Sequence, residues 1–178
     1  MDRQGMIVIH NTQRRIRINQ SKLKREAHAM LEALGYGDFD LGIRLTTNTT
    51  IRRYNKAYRS KDKATDILSF PYHTDLKPGQ KIVVRAPEDK NMGDLIISLE
   101  YVQADAPKLW GRYFDDHLTV LLAHGIAHLL NYDHITDEEF AAMQKVEKKL
   151  LKAVGFALEQ DAAFKEYAHE DKTRRPRR

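Results

Sequence analysis

The residues whose types and spacing could do chemistry are histidines crowded into one apolar stretch. His117, His124 and His128 lie between Asp115 and Leu130, and His134 follows just beyond. An imidazole buried without a partner loses its solvation, so several of them in one apolar helix need a reason. His124 and His128 are four residues apart, which stacks them on one face of a helix and lets them offer two nitrogens to a single ion. Asn131 falls where a helix-ending residue with positive φ is wanted, a conformation Asn tolerates second only to Gly. A chain that turns there returns His134 as a third ligand. His117 stands two turns before His124 on nearly the same face. It reads equally as a substrate contact, a proton shuttle, a hydrogen-bond partner of the ligands, or a plain polar residue beside Asp115 and Asp116. Asp133 is placed to accept the second N–H of a ligand histidine.

The spacing of His124, His128 and His134 is similar to that of the metzincin zinc site. Three neutral imidazoles leave a tetrahedral ion one open position, the arrangement of a catalytic zinc rather than a structural one. Metzincins place a Glu directly after the first His as general base, and here that position is Gly125. The residues therefore point to a metal hydrolase of another kind, with its general base unassigned.

The elements around this stretch follow from periodicity and punctuation. Strands are expected at Met6–His10, Asp40–Thr47, Thr65–Tyr72 and Met92–Ser98. Helices are expected at Ser21–Leu34, opened by Asn19 or Ser21 and closed at Gly35, and at Thr49–Tyr58, capped by Asn48. Others are expected from Leu99 to about Lys108, along the histidine stretch, and at Glu139–Val154 behind a capping box at Thr136–Glu139. The polar stretch His73–Asn91 reads as a long surface loop. This order predicts an α+β fold: a small mixed four-stranded sheet with packed helices and the metal site on a central helix and the turn after it. Asp66 and Asp94 are expected at strand ends as structural hydrogen-bonders. Tyr54, Tyr58, Phe70 and Tyr72 are first of all core candidates, and stacking partners for bases second.

A chain of 178 residues suffices for one domain with a real core, assigned to 1–156, followed by an extension at 157–178. No apolar run is long enough to span a bilayer, so no membrane partner is expected. The start lacks the apolar region of a signal peptide. The absence of cysteine excludes disulfides and thiolate zinc sites, and cytoplasmic is the default location. The net charge is +5, of which the tail His169–Arg178 supplies more than half. That tail reads as a solvated, disordered end or as a basic arm for phosphates.

Three blocks resemble one family, the YbeY endoribonucleases, bacterial rRNA maturation factors. The first is Asn55 and Arg59 with Thr65-Asp66-Ile67-Leu68-Ser69-Phe70-Pro71. The second is Met92-Gly93-Asp94-Leu95-Ile96-Ile97. The third is His124-Gly125-Ile126-Ala127-His128-Leu129-Leu130-Asn131-Tyr132-Asp133-His134. The resemblance runs from about Ile7 to Gly155. In the last block Ala127 replaces a Leu and Asn131 replaces a Gly. The resemblance implies an endoribonuclease acting on single-stranded RNA, in small-subunit rRNA 3′-end maturation and ribosome quality control. It implies one Zn2+ per chain on His124, His128 and His134, and an Arg59 needed for activity. Its partners would be rRNA, the small ribosomal subunit and associated proteins, with no DNA. A guanidinium suits this role because its planar fork grips two phosphate oxygens. Arg52, Arg53, Lys56, Lys61 and Lys63 could track the backbone. Three other functions remain: a zinc peptidase, a non-catalytic ribosome-assembly module braced by structural zinc, and hydrolysis of another phosphoester.

Overall fold

The computed structural model describes residues 3–109 and 113–158. Most of the extension at 157–178, including the basic tail, lies outside the described residues. Four strands, β1 (Ile7–Asn11), β2 (Asp40–Thr46), β3 (Ile67–Pro71) and β4 (Asn91–Ser98), alternate with five helices. These are α1 (Gln20–Ala33), α2 (Asn48–Arg59), α3 (Leu99–Leu109), α4 (Phe114–Leu129) and α5 (Asp137–Ala153), and a short 3-10 turn stands at Pro87–Asp89. The sheet order is β1-β2-β4-β3, with β3 alone antiparallel to its neighbour and at one edge. The expected α+β architecture is therefore the one found. Among the described residues no helix is long and apolar enough to cross a membrane.

Alternation along the strands gives the sheet two unlike faces. Leu41, Ile43 and Leu45 of β2, Leu95 and Ile97 of β4, and Ile67 of β3 point into the main core. There they meet Leu23, Ala27 and Leu31 of α1, Leu122 and Ile126 of α4, and Leu150 and Leu151 of α5. The intervening residues point the other way, where a smaller cluster of Ile51, Leu68 and Ile96 seats α2. The helices α2 and α4 thus lie on opposite faces of the edge strand β3.

The central helix α4 is buried on nearly every side, with twelve of its sixteen residues buried. This explains why its sequence is apolar all round rather than striped. The helix packs tightly on the sheet at Gly125. A Cβ there would come within 2.7 Å of Ile67 Cδ1 and 2.9 Å of Leu95 Cδ2.

Two expectations are corrected in detail. Thr47, not Asn48, caps α2, accepting from the Thr50 N–H. Asn48 is drawn away, its backbone N–H donating to Glu100 and its side-chain Oδ1 accepting from the Ser98 hydroxyl. Tyr58 is no core residue but 68% exposed, and Tyr72 is exposed as well. The reason is that α2 covers only part of its face of the sheet, leaving the last turn over open ground. Packing at Gly125 makes a direct prediction. Gly125→Val should lower Tm by roughly 2–10 °C in a thermal melt, because the added methyls meet the sheet with no room to retreat.

Candidate metal centre

Helix α4 ends as its sequence requires. Asn131 takes φ 60°, and the reversal carries His134 back toward the helix. The three histidines come together: one ring nitrogen from each of His124, His128 and His134 lies within 4.8 Å of the other two. His124 Nε2 and His128 Nε2 face each other at 3.0 Å, and the His134 ring centroid stands 5.7 and 5.3 Å from theirs.

The back nitrogens decide what the front ones offer. His128 Nδ1 lies 2.8 Å from the Tyr132 carbonyl, which only accepts, so Nδ1 carries the hydrogen. A neutral His128 then presents Nε2 as a lone pair. Burial pushes its pKa down to about 3, with the nearby His124 and His134 acting in the same direction, so it is neutral at ordinary pH. His124 Nδ1 lies 2.6 Å from Glu147 Oε1 on α5. As a carboxylate, Glu147 accepts that N–H and turns His124 Nε2 outward as a second lone pair. Desolvation raises the Glu147 carboxyl to about 7, opposed by His134. Two lone pairs aimed at one point, with a third imidazole beside them, form a donor set that fits a divalent ion.

Glu147 is the residue that sequence reasoning missed. Its signal was present: Phe140, Met143, Glu147, Leu150 and Leu151 form the buried stripe of α5, so a carboxylate sits at a core-facing position. Asp133 proves to accept the backbone N–H of His134 at 2.8 Å, which shapes the turn that carries this histidine. His117 is buried, 2% exposed, within the first turn of α4. Asp66 accepts the Ile67 N–H as a structural hydrogen-bonder, whereas Asp94 stands inside β4 rather than at its end.

Asn131 has a second task. Its side-chain amide donates to the carbonyls of His73 and Leu76, each at 2.8 Å, with Thr74 at 3.4 Å. The long loop after β3 is thereby tied to the turn that presents His134.

Arg59 is the last residue of α2 and is exposed. The chain reverses directly after it at Ser60, φ 55°, and the Asn55 amide holds the reversal by donating to the Lys63 carbonyl. Among the described residues no hydrogen bond or ion pair joins Arg59 to the triad. Since α2 and α4 flank β3 on opposite faces, any approach is round that edge. Arg52 and Lys56 are engaged with Asp62.

A sequence model of the family described as Endoribonuclease YbeY matches residues 8–155. The chain belongs to the YbeY family. A human relative named Endoribonuclease YbeY is 36% identical over 149 residues, covering 84% of this chain and 88% of the relative. Another of that name, from Desulforamulus reducens, is 33% identical, covering 84% of this chain and 97% of its own length. A Thermotoga maritima protein solved in solution aligns with TM-score 0.52 at 21% identity, over 88% of this chain and 97% of that one. That likeness concerns the fold alone. Against the YbeY pattern, the Asn131 amide and its ties to the loop occupy a position where Gly has no side chain to offer.

Two outcomes follow. Glu147→Gln keeps the volume and loses the charge behind His124, and should weaken metal binding about 10–100-fold in competition against a chelator. Asn131→Gly keeps the turn and frees the loop, so residues 73–82 should be cut faster in limited proteolysis while the triad still binds metal.

Proposed function

We propose that the chain is a metal-dependent endoribonuclease that cuts single-stranded RNA, with Zn2+ held by His124, His128 and His134 and small-subunit rRNA as its substrate. The observation that supports this most is the triad itself, with two front nitrogens turned to one point by Glu147 and the Tyr132 carbonyl. Membership of a family whose members are named endoribonucleases supports the choice of RNA.

A divalent ion bound there supplies a Lewis acid for the phosphodiester. The chain's own residues do the rest. Glu147 and Tyr132 fix the ring orientations before substrate arrives, so no reorganisation is needed at the moment of reaction. Arg59 places a guanidinium against the non-bridging oxygens, where negative charge grows as the bond is attacked. The reversal at Ser60 and the Asn55 brace hold the end of α2 that carries it. Partner proteins of the small subunit and a cytoplasmic setting belong to this reading.

The peptidase alternative meets a steric objection. A side chain at position 125 would run into Ile67 and Leu95, so the general base of a metzincin has no counterpart here. Glu147 does not replace it, being buried behind His124.

The test uses the purified chain on structured and unstructured RNA, with casein alongside and elemental analysis of the bound metal. Unstructured RNA should be cut, chelation should stop cutting and added Zn2+ should restore it. His124→Ala and Arg59→Ala should each leave a folded protein with no detectable cleavage. Full cleavage by Arg59→Ala would remove that residue from the site, and casein digestion without RNA cleavage would reverse the assignment.

A further inference from the structure

The sheet face opposite the metal centre carries a second constellation that the nuclease chemistry does not use. Beyond the end of α2 lies an open groove of about 480 Å³, lined by His10, Arg44, Tyr54, Tyr58, Phe70 and Asp94 among others. That volume is within the usual range for small-molecule sites, about 300–1,000 Å³.

Its wall is aromatic. Tyr54 and Tyr58, one helical turn apart on α2, stack with planes 10° apart and centroids 6.2 Å apart. Phe70 of β3 meets Tyr58 edge-on at 5.1 Å. Much of the Tyr58 ring remains open to solvent, which is costly for an aromatic with nothing to cover it and useful for one that stacks a ligand. Its floor is charged. Gly42 of β2 and Asp94 of β4 are register partners, and a Cβ on Gly42 would lie 2.0 Å from Asp94 Oδ1. The bare Gly42 is what lets that carboxylate lie across the floor. Among the described residues the Asp94 carboxylate takes no hydrogen bond or ion pair. Arg44 is steadied by donating to the Tyr54 hydroxyl at 2.6 Å, with its other N–H groups left for a carbonyl or phosphate oxygen. The helix that supplies the tyrosines also bears Arg53, exposed and outside the pairing with Asp62.

We infer that this groove binds a guanine base of the single-stranded RNA, at a site separate from the metal centre. Exposed aromatics stack a splayed base, and Arg44 and Arg53 complement its phosphates. The carboxylate selects which base. It accepts only, and guanine alone among the four presents two adjacent N–H donors, at N1 and N2, to match its two oxygens. Adenine, cytosine and uracil each set an acceptor beside their donor on that edge. The inference rests on the RNA reading given above and adds a reading site to it.

The test measures binding by the 178-residue chain carrying His124→Ala, so that the RNA stays intact. An oligouridine with one central guanine is compared with the all-uridine strand by fluorescence anisotropy. The guanine strand should bind about tenfold more tightly. Asp94→Asn should erase that difference while the all-uridine affinity is retained. Tyr58→Ala should weaken both strands about tenfold. Both residues are exposed, so unchanged thermal melts are expected to accompany these losses. A guanine preference that survives Asp94→Asn, or full affinity in Tyr58→Ala, overturns the assignment and leaves the groove to a protein partner. Equal binding of the guanine and all-uridine strands overturns this inference alone; absence of all RNA binding overturns the nuclease reading with it.

Discussion

Everything at the centre depends on what stands behind the imidazoles. A histidine rotates and exchanges tautomers freely unless its second nitrogen is held. Here a carboxylate from α5 holds His124 and a main-chain carbonyl holds His128. The Tyr132 carbonyl acts with particular economy. It belongs to the turn that follows Asn131, so the bend that returns His134 also fixes the ring of His128. The placing of His134 and the tautomer of His128 are thus two results of one piece of backbone geometry.

That arrangement depends in turn on how deeply α4 is enclosed. The sheet lies on one side and α1, α3 and α5 on others, so the polar groups of α4 have few exits. Gly125 lets α4 settle on Ile67 and Leu95, and the same contact closes the position a metzincin gives to its base. On the other face of the sheet the covering is partial. The end of α2 overhangs a groove with mixed charge and exposed rings, so one thin layer of β-structure separates two surfaces of different character.

Much of this was legible in the residues. The histidine spacing, the positive φ at Asn131, the capping box at Thr136 and the alternation in β2 all have local causes, and local causes leave local patterns. What escaped was set by partners distant in sequence. Glu147 is 23 residues from His124, and only the packing of α5 on α4 brings them together. Asn48 looked like a helix cap because its type suits one, but Glu100 and Ser98, about 50 residues away, compete for its groups and Thr47 takes the role. Tyr58 looked like a core residue because its spacing from Tyr54 is helical. Whether a neighbour covers that face is decided by the extent of the sheet beneath.

The origin of the donors has a thermodynamic consequence. His124 and His128 come from α4 and His134 from the segment leading to α5, while α5 itself returns Glu147 to the first of them. An ion bound to this set grips the folded chain and has little hold on the unfolded one. Mass action then adds stability that grows with the logarithm of free metal concentration, about 2.7 kcal/mol at a hundredfold excess over Kd. The stretch from α4 through α5 would be the part most firmly secured. Metal supply would then govern how long the chain survives proteolysis as well as how fast it works.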